Sequence, residues 1–214
     1  MGPPKKDGAF KSGWSDFYIF FAVEALLMLT AALIRHERWK CMHRLLTNAY
    51  LVNDSNGALR AETYIAFDCG LEALDHQRNK RLRLNRASLT ADLLKERCSQ
   101  EHTPFSELMQ ADIFLALDGA VKVGQRVEDN WPRYWVPRTA VFFGSYGSLP
   151  VFLKVIDPSV RSGVRIALGV ASGTELAARL AVASQKLDGF KALSIGAFSR
   201  FKLTEAANVA ELIK

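Results

Sequence analysis

One stretch limits this chain more than any other. Residues 17–34 read FYIFFAVEALLMLTAALI, and only Glu24 brings a charge into the run. No Gly or Pro breaks it, and from Ala25 onward it is built from Leu, Ala and Met, which are strong helix formers. Ser15 supplies a cap and Asp16 an acid for the first turn. Apolar residues fall on every face, so the helix expected over 16–34 is buried on all sides or lies in lipid. Its length is close to the roughly 20 residues a membrane span needs. Glu24 falls near the middle, where a charge in a bilayer costs about 2.5 kcal/mol or more. The expected solution is therefore a central helix buried in protein, in the core or against a partner.

The remaining composition fits that choice. The chain has 214 residues, is 49% hydrophobic and 23% charged, and so builds an ordinary core without disulfides. Cys41, Cys69 and Cys98 are far apart, with no zinc spacing, and read as reduced thiols of a cytoplasmic protein. The four His residues are scattered, so no metal site is expected, and no motif calls for a cofactor. Residues 1–14 read as a flexible basic arm without a signal-peptide layout. The net charge of +6 permits an acidic or nucleic-acid partner without requiring one.

In order along the chain, helical spacing continues over 35–51 through Trp39, Met42, Leu45 and Leu46. Asn53 to Gly57 has loop composition, and 63–67 leans towards strand. Thr103-Pro104 opens a helix directed at Gly119, with 113–117 apolar enough for a buried strand. Residues 119–138 read as loop. TAVFF over 139–143 is the best strand, with 191–198 the second candidate. Ser172 and Glu175 form a capping box, and Thr204 caps a last helix. The fold class is α+β, mainly helical. The chain divides softly into a helical half, 15–102, and a mixed half, 103–214, and one continuous domain remains open.

Two surface candidates stand out. QRNKRLRLNR over 77–86 carries Arg78, Lys80, Arg81, Arg83 and Arg86 with no acid, which suits phosphate contact or, equally, a solvated turn. No aromatic is interleaved, so base stacking is not part of this expectation. NWPRYWVPR puts Trp131, Arg133 and Tyr134 in a Pro-stiffened loop, and Trp, Tyr and Arg are the residue types that anchor interfaces. Trp135, beside the expected strand, reads as core. Asp112 lies in a strongly apolar segment and would need a partner if buried, such as Arg133 or Arg138.

Arg38 and His43, and again Arg97 and His102, are separated by four residues. This spacing resembles the arginine–histidine motif of HEPN ribonucleases, helical domains found in many toxin and defence systems. The resemblance implies catalysis by Arg38 and His43 of paired protomers, cleaving RNA without metal. The family usually has a polar residue after the Arg, where this chain has Trp39 or Cys98. Read from the residues alone, the pair are surface groups of an amphipathic helix. The sequence thus favours a non-catalytic interaction module or complex subunit. A protein partner or homo-oligomer is expected and a membrane is not, while non-specific nucleic-acid contact is permitted and not required. A metal-independent ribonuclease is the alternative.

Overall fold

A computed structural model describes residues 12–53, 58–68, 71, 73–98, 101–125, 134–146, 149–187 and 202–214. The fold is mainly helical with one short sheet, the α+β class expected. Helix α1 spans Ser12–Arg35 and α2 Trp39–Thr47. Strands β1 (Tyr50–Asn53) and β2 (Leu59–Glu62) pair antiparallel, Tyr50 opposite Glu62 and Asn53 opposite Leu59. A 3-10 helix over Tyr64–Asp68 follows, then a π-helical turn, Ala73–Arg78, that runs into α3, Asn79–Leu82. Helices α4 (Leu89–Arg97) and α5 (Phe105–Gln125) complete the first part. Beyond the loop come α6 (Phe143–Tyr146), α7 (Pro150–Lys154), α8 (Pro158–Ala167) and α9 (Gly173–Lys186). Two single turns, α10 (Leu203–Ala206) and α11 (Val209–Leu212), close the chain.

The helix buried on every side is α5, not α1. From Leu108 to Val121 every residue of α5 is buried, packed between α1 and α9. Its sequence conceals this, because Asp112, Asp118 and Gly119 interrupt the apolar pattern. Both carboxylates turn out to accept hydrogen bonds from buried donors. The glycines are contact points and not terminators. A Cβ at Gly119 would stand 3.1 Å from the Trp135 backbone nitrogen, and one at Gly124 would collide with the Arg179 backbone. The helix therefore runs on to Gln125, with no strand over 113–117 and no loop from 119.

Helix α1 is buried on one face only. Phe20, Val23, Leu27, Ala31 and Ile34 face the core, while Phe17, Tyr18, Phe21 and Leu29 are exposed. It begins at Ser12, so Ser15 lies inside the helix and does not cap it. Among the described residues, 17–35 is the one helical stretch long and apolar enough to cross a membrane.

The expected strand over 139–143 is a 3-10 helix, Arg138–Phe142, running into α6. Among the described residues no neighbouring strand takes its backbone groups. Instead the Thr139 N–H donates to Asp112 at 2.8 Å, and the Ala140 N–H closes a turn onto Pro137 O at 3.3 Å. Residues 63–67 also coil, because the Tyr64 side chain must reach into the core. The sheet forms instead at 50–53 and 59–62, on either side of the loop composition at 53–57. The second expected strand, 191–198, lies outside the described residues. Capping follows the sequence more closely. Ser172 Oγ accepts from the Glu175 N–H, and the Glu175 carboxylate accepts from the Ala171 N–H. The last helix is broken by Asn208, whose positive φ of 46° ends α10 and whose side chain donates to Phe152 O.

Candidate polyanion-binding corner

Residues 73–92 fold into a corner whose backbone is tied down from beneath. The Asp75 carboxylate accepts from the Thr90 N–H at 2.8 Å, the Thr90 hydroxyl at 2.9 Å and the Ser88 hydroxyl at 3.2 Å. Arg138 adds an ion pair at 3.2 Å. Asp75 thereby joins the π-helical turn to the N-terminus of α4, where Ser88 also caps the helix through the Ala91 N–H. Helix α3 ends at Arg83 with φ of 50°, and Asn85 repeats the left-handed conformation at 49°. Such backbone is costly for a side chain longer than Asn. Asn79 holds it in place, donating to Arg86 O at 2.6 Å and accepting from the Arg86 N–H at 3.1 Å.

This frame sorts the five cations. Arg86 points back at α4 and grips both Asp92 oxygens, at 2.6 and 2.7 Å. Arg78, Lys80, Arg81 and Arg83 are exposed, and among the described residues their side chains make no hydrogen bond or ion pair. Lys80 and Arg83 line a shallow concavity of about 360 Å³ together with His76, Asn79 and Asn85. Sequence reasoning found the cations but missed His76 and the two asparagines. It also counted Arg86 among the free charges. The signal for Arg86 was present, since an Arg just before an N-cap Ser with an acid in the helix's first turn is placed to form that pair.

The other candidates lie apart from this corner. Arg38 stands exposed at the start of α2. His43 is half-buried, with Nδ1 3.3 Å from Ala167 O and the ring against Gly169. Arg38 precedes the helix as its N-cap, with non-helical φ of −84° and ψ of 57°, and so lies outside the helical repeat that places His43. Arg97 donates from Nε to Glu24 at 2.5 Å, while His102 is exposed and its carbonyl accepts from Arg35. Trp131 and Arg133 fall outside the described residues. Tyr134 is half-buried against the core. Cys98 sits beside Glu24, and burial together with that charge pushes its thiol up to about 11, which leaves it protonated and unreactive at neutral pH.

The buried carboxylates of α5 are occupied internally. Asp112 accepts from Trp135 Nε1 at 2.6 Å and from the Thr139 N–H and hydroxyl at 2.8 and 2.7 Å. Asp118 accepts from the Tyr64 hydroxyl at 2.8 Å and pairs with Lys122 at 2.7 Å. Lys122 also donates to Leu46 O and stands over the Tyr64 ring. Burial pushes both carboxyls above the usual range, against the pull of these donors. These groups lock α5 to its neighbours. Among the described residues no group of His, Cys, Asp and Glu is placed to hold a metal ion. No protein-family model, curated protein or solved structure matches the chain.

Proposed function

We propose that the protein is a non-catalytic binding module that contacts polyanions, nucleic acid first among them, through the corner at residues 76–85. One observation carries the reading. Four exposed cations without described partners are presented on a backbone held by Asn79 and Asp75, and two of them line a concavity with His76. A solvated turn has no need of that frame. A phosphate approaching the concavity meets two exposed charges and side-chain amide groups on a backbone already held in place, which lowers the entropy lost on binding. The cations sit on a surface turn with no Trp, Tyr or Phe among residues 76–86, which favours contact with backbone charge over base readout.

Fluorescence anisotropy with labelled duplexes of unrelated sequence, a single strand and a heparin fragment tests this. Replacing Lys80 and Arg83 by Ala should weaken all of them together, while Arg86→Ala should leave each nearly unchanged. Discrimination among duplex sequences, or binding indifferent to Lys80 and Arg83, would refute it.

A further inference from the structure

The outer face of α1 is apolar and has a symmetry of its own. Placed at about 100° per residue, the exposed and half-exposed positions of α1 between 17 and 33, Ile19 excepted, form a stripe centred on Ala25. Every charged residue of that segment is off the stripe, since Glu24 is buried against Arg97. Read outward from Ala25, the stripe alternates in size. Phe21 and Leu29 lie four residues to either side, and Phe17 and Leu33 eight. Between them Tyr18 is balanced by Ala32, and Met28 by Ala22.

We propose that a second copy of this chain covers this face, with the two α1 helices antiparallel and crossing at Ala25. In that arrangement each large side chain meets a smaller one. Tyr18 faces the second copy's Ala32, Met28 its Ala22, and Phe21 its Leu29, while the two Ala25 residues let the helices approach closely. A parallel pair would set Phe17 on Phe17 and Tyr18 on Tyr18. The groove supports the same orientation. Leu29 and Leu33 form one wall of a cavity of about 610 Å³ whose other side includes Leu45 and Tyr50. The Phe17 ring of an antiparallel copy arrives opposite Leu33, at the mouth of that cavity.

The exposed area is of the right size. Phe17, Tyr18, Phe21 and Leu29 are 55%, 67%, 37% and 48% exposed, which leaves about 400 Å² of these four side chains in water. The rest of the stripe and the groove wall carry this towards the roughly 600 Å² per protomer at the lower end of stable interfaces. Phe17 and Phe21 are already ordered edge-to-face with centroids 4.6 Å apart, and Arg97 stands over the Phe21 ring at the rim.

Sedimentation of the full chain tests the pairing. The expected mass is twice the 23.8 kDa of the chain at micromolar concentration. Ala25→Lys places a charge at an exposed position, so it should weaken dimerisation by about 100-fold and lower the melting temperature only by what dimerisation itself adds, leaving that of the dilute monomer unchanged. Orientation is read separately by oxidising mixtures of single-cysteine additions and mapping the joined peptides. Phe17→Cys should couple to Leu33→Cys and not to itself, and Ala25→Cys should couple to itself. A monomer at every concentration overturns the proposal, as does a dimer indifferent to Ala25→Lys or a Phe17-to-Phe17 linkage. Co-sedimentation of the monomer with phosphatidylcholine vesicles, abolished by Ala25→Lys, would assign the face to a bilayer and overturn it too. If Ala25→Lys fails to fold, the peptide linkages alone decide.

Discussion

At the scale of single residues, the stability of the fold turns on how α5 carries carboxylates through a core. Asp112 accepts three hydrogen bonds and so holds Trp135 and the 3-10 helix in place. Asp112→Ala should destabilise the chain by about 3 to 5 kcal/mol in denaturant unfolding, since three buried donors lose their acceptor. The carboxyl also predicts a pH dependence. Its folded-state pKa is raised by burial, so between the unfolded value of about 4 and the folded value the native state binds more protons than the unfolded chain. Its contribution to stability is therefore largest in acid and falls as pH rises through that window. Asp112→Asn removes the titration, so the difference in unfolding free energy between wild type and variant should shrink from pH 4 to 7. A difference that is constant or grows would contradict the assignment. That Asp112 needs a partner was legible from its apolar neighbours, and so was the burial of Trp135. The partners themselves were not, because Trp135 and Thr139 lie more than twenty positions along the chain.

At the scale of elements, the sequence shows helices well where punctuation is local. The caps at Ser88, Asp157 and Ser172 need only residues within four positions, and each accepts the hydrogen bond that its neighbours imply. Misreadings arose where a distant contact decides. TAVFF has strand composition but lies beside no strand among the described residues, and Gly119 and Gly124 look like helix ends but are close approaches of other backbone. Gly124→Ala should thus destabilise the protein by about 1 to 3 kcal/mol or more, although Ala is the better helix former, because α9 must shift away. Gly144→Ala is the matched control. Nothing lies within 4 Å of its new Cβ, so thermal unfolding should show it neutral or slightly stabilised. Gain of stability at both positions would mean that helix propensity and not packing controls them.

At the scale of the molecule, a basic corner and an apolar stripe stand out among the described residues once the core is accounted for. The corner was half legible. Its charge stands in the sequence, but which cations face outward depends on the turn at Arg83, the Asn79 clamp and the pairing of Arg86 with Asp92. The stripe was hidden, because a run apolar on every side does not show which face the core takes. The binding reading is tested most directly by the salt dependence of affinity for a short duplex. Each phosphate neutralised contributes a slope of about −0.9 in log affinity against log salt. The triple variant Lys80→Ala, Arg81→Ala, Arg83→Ala should flatten the wild-type slope by about 2.7, with an unchanged circular dichroism spectrum. Arg86→Ala should leave the slope where it is. Wild-type and triple-variant slopes that run parallel would show that the corner contacts no phosphate.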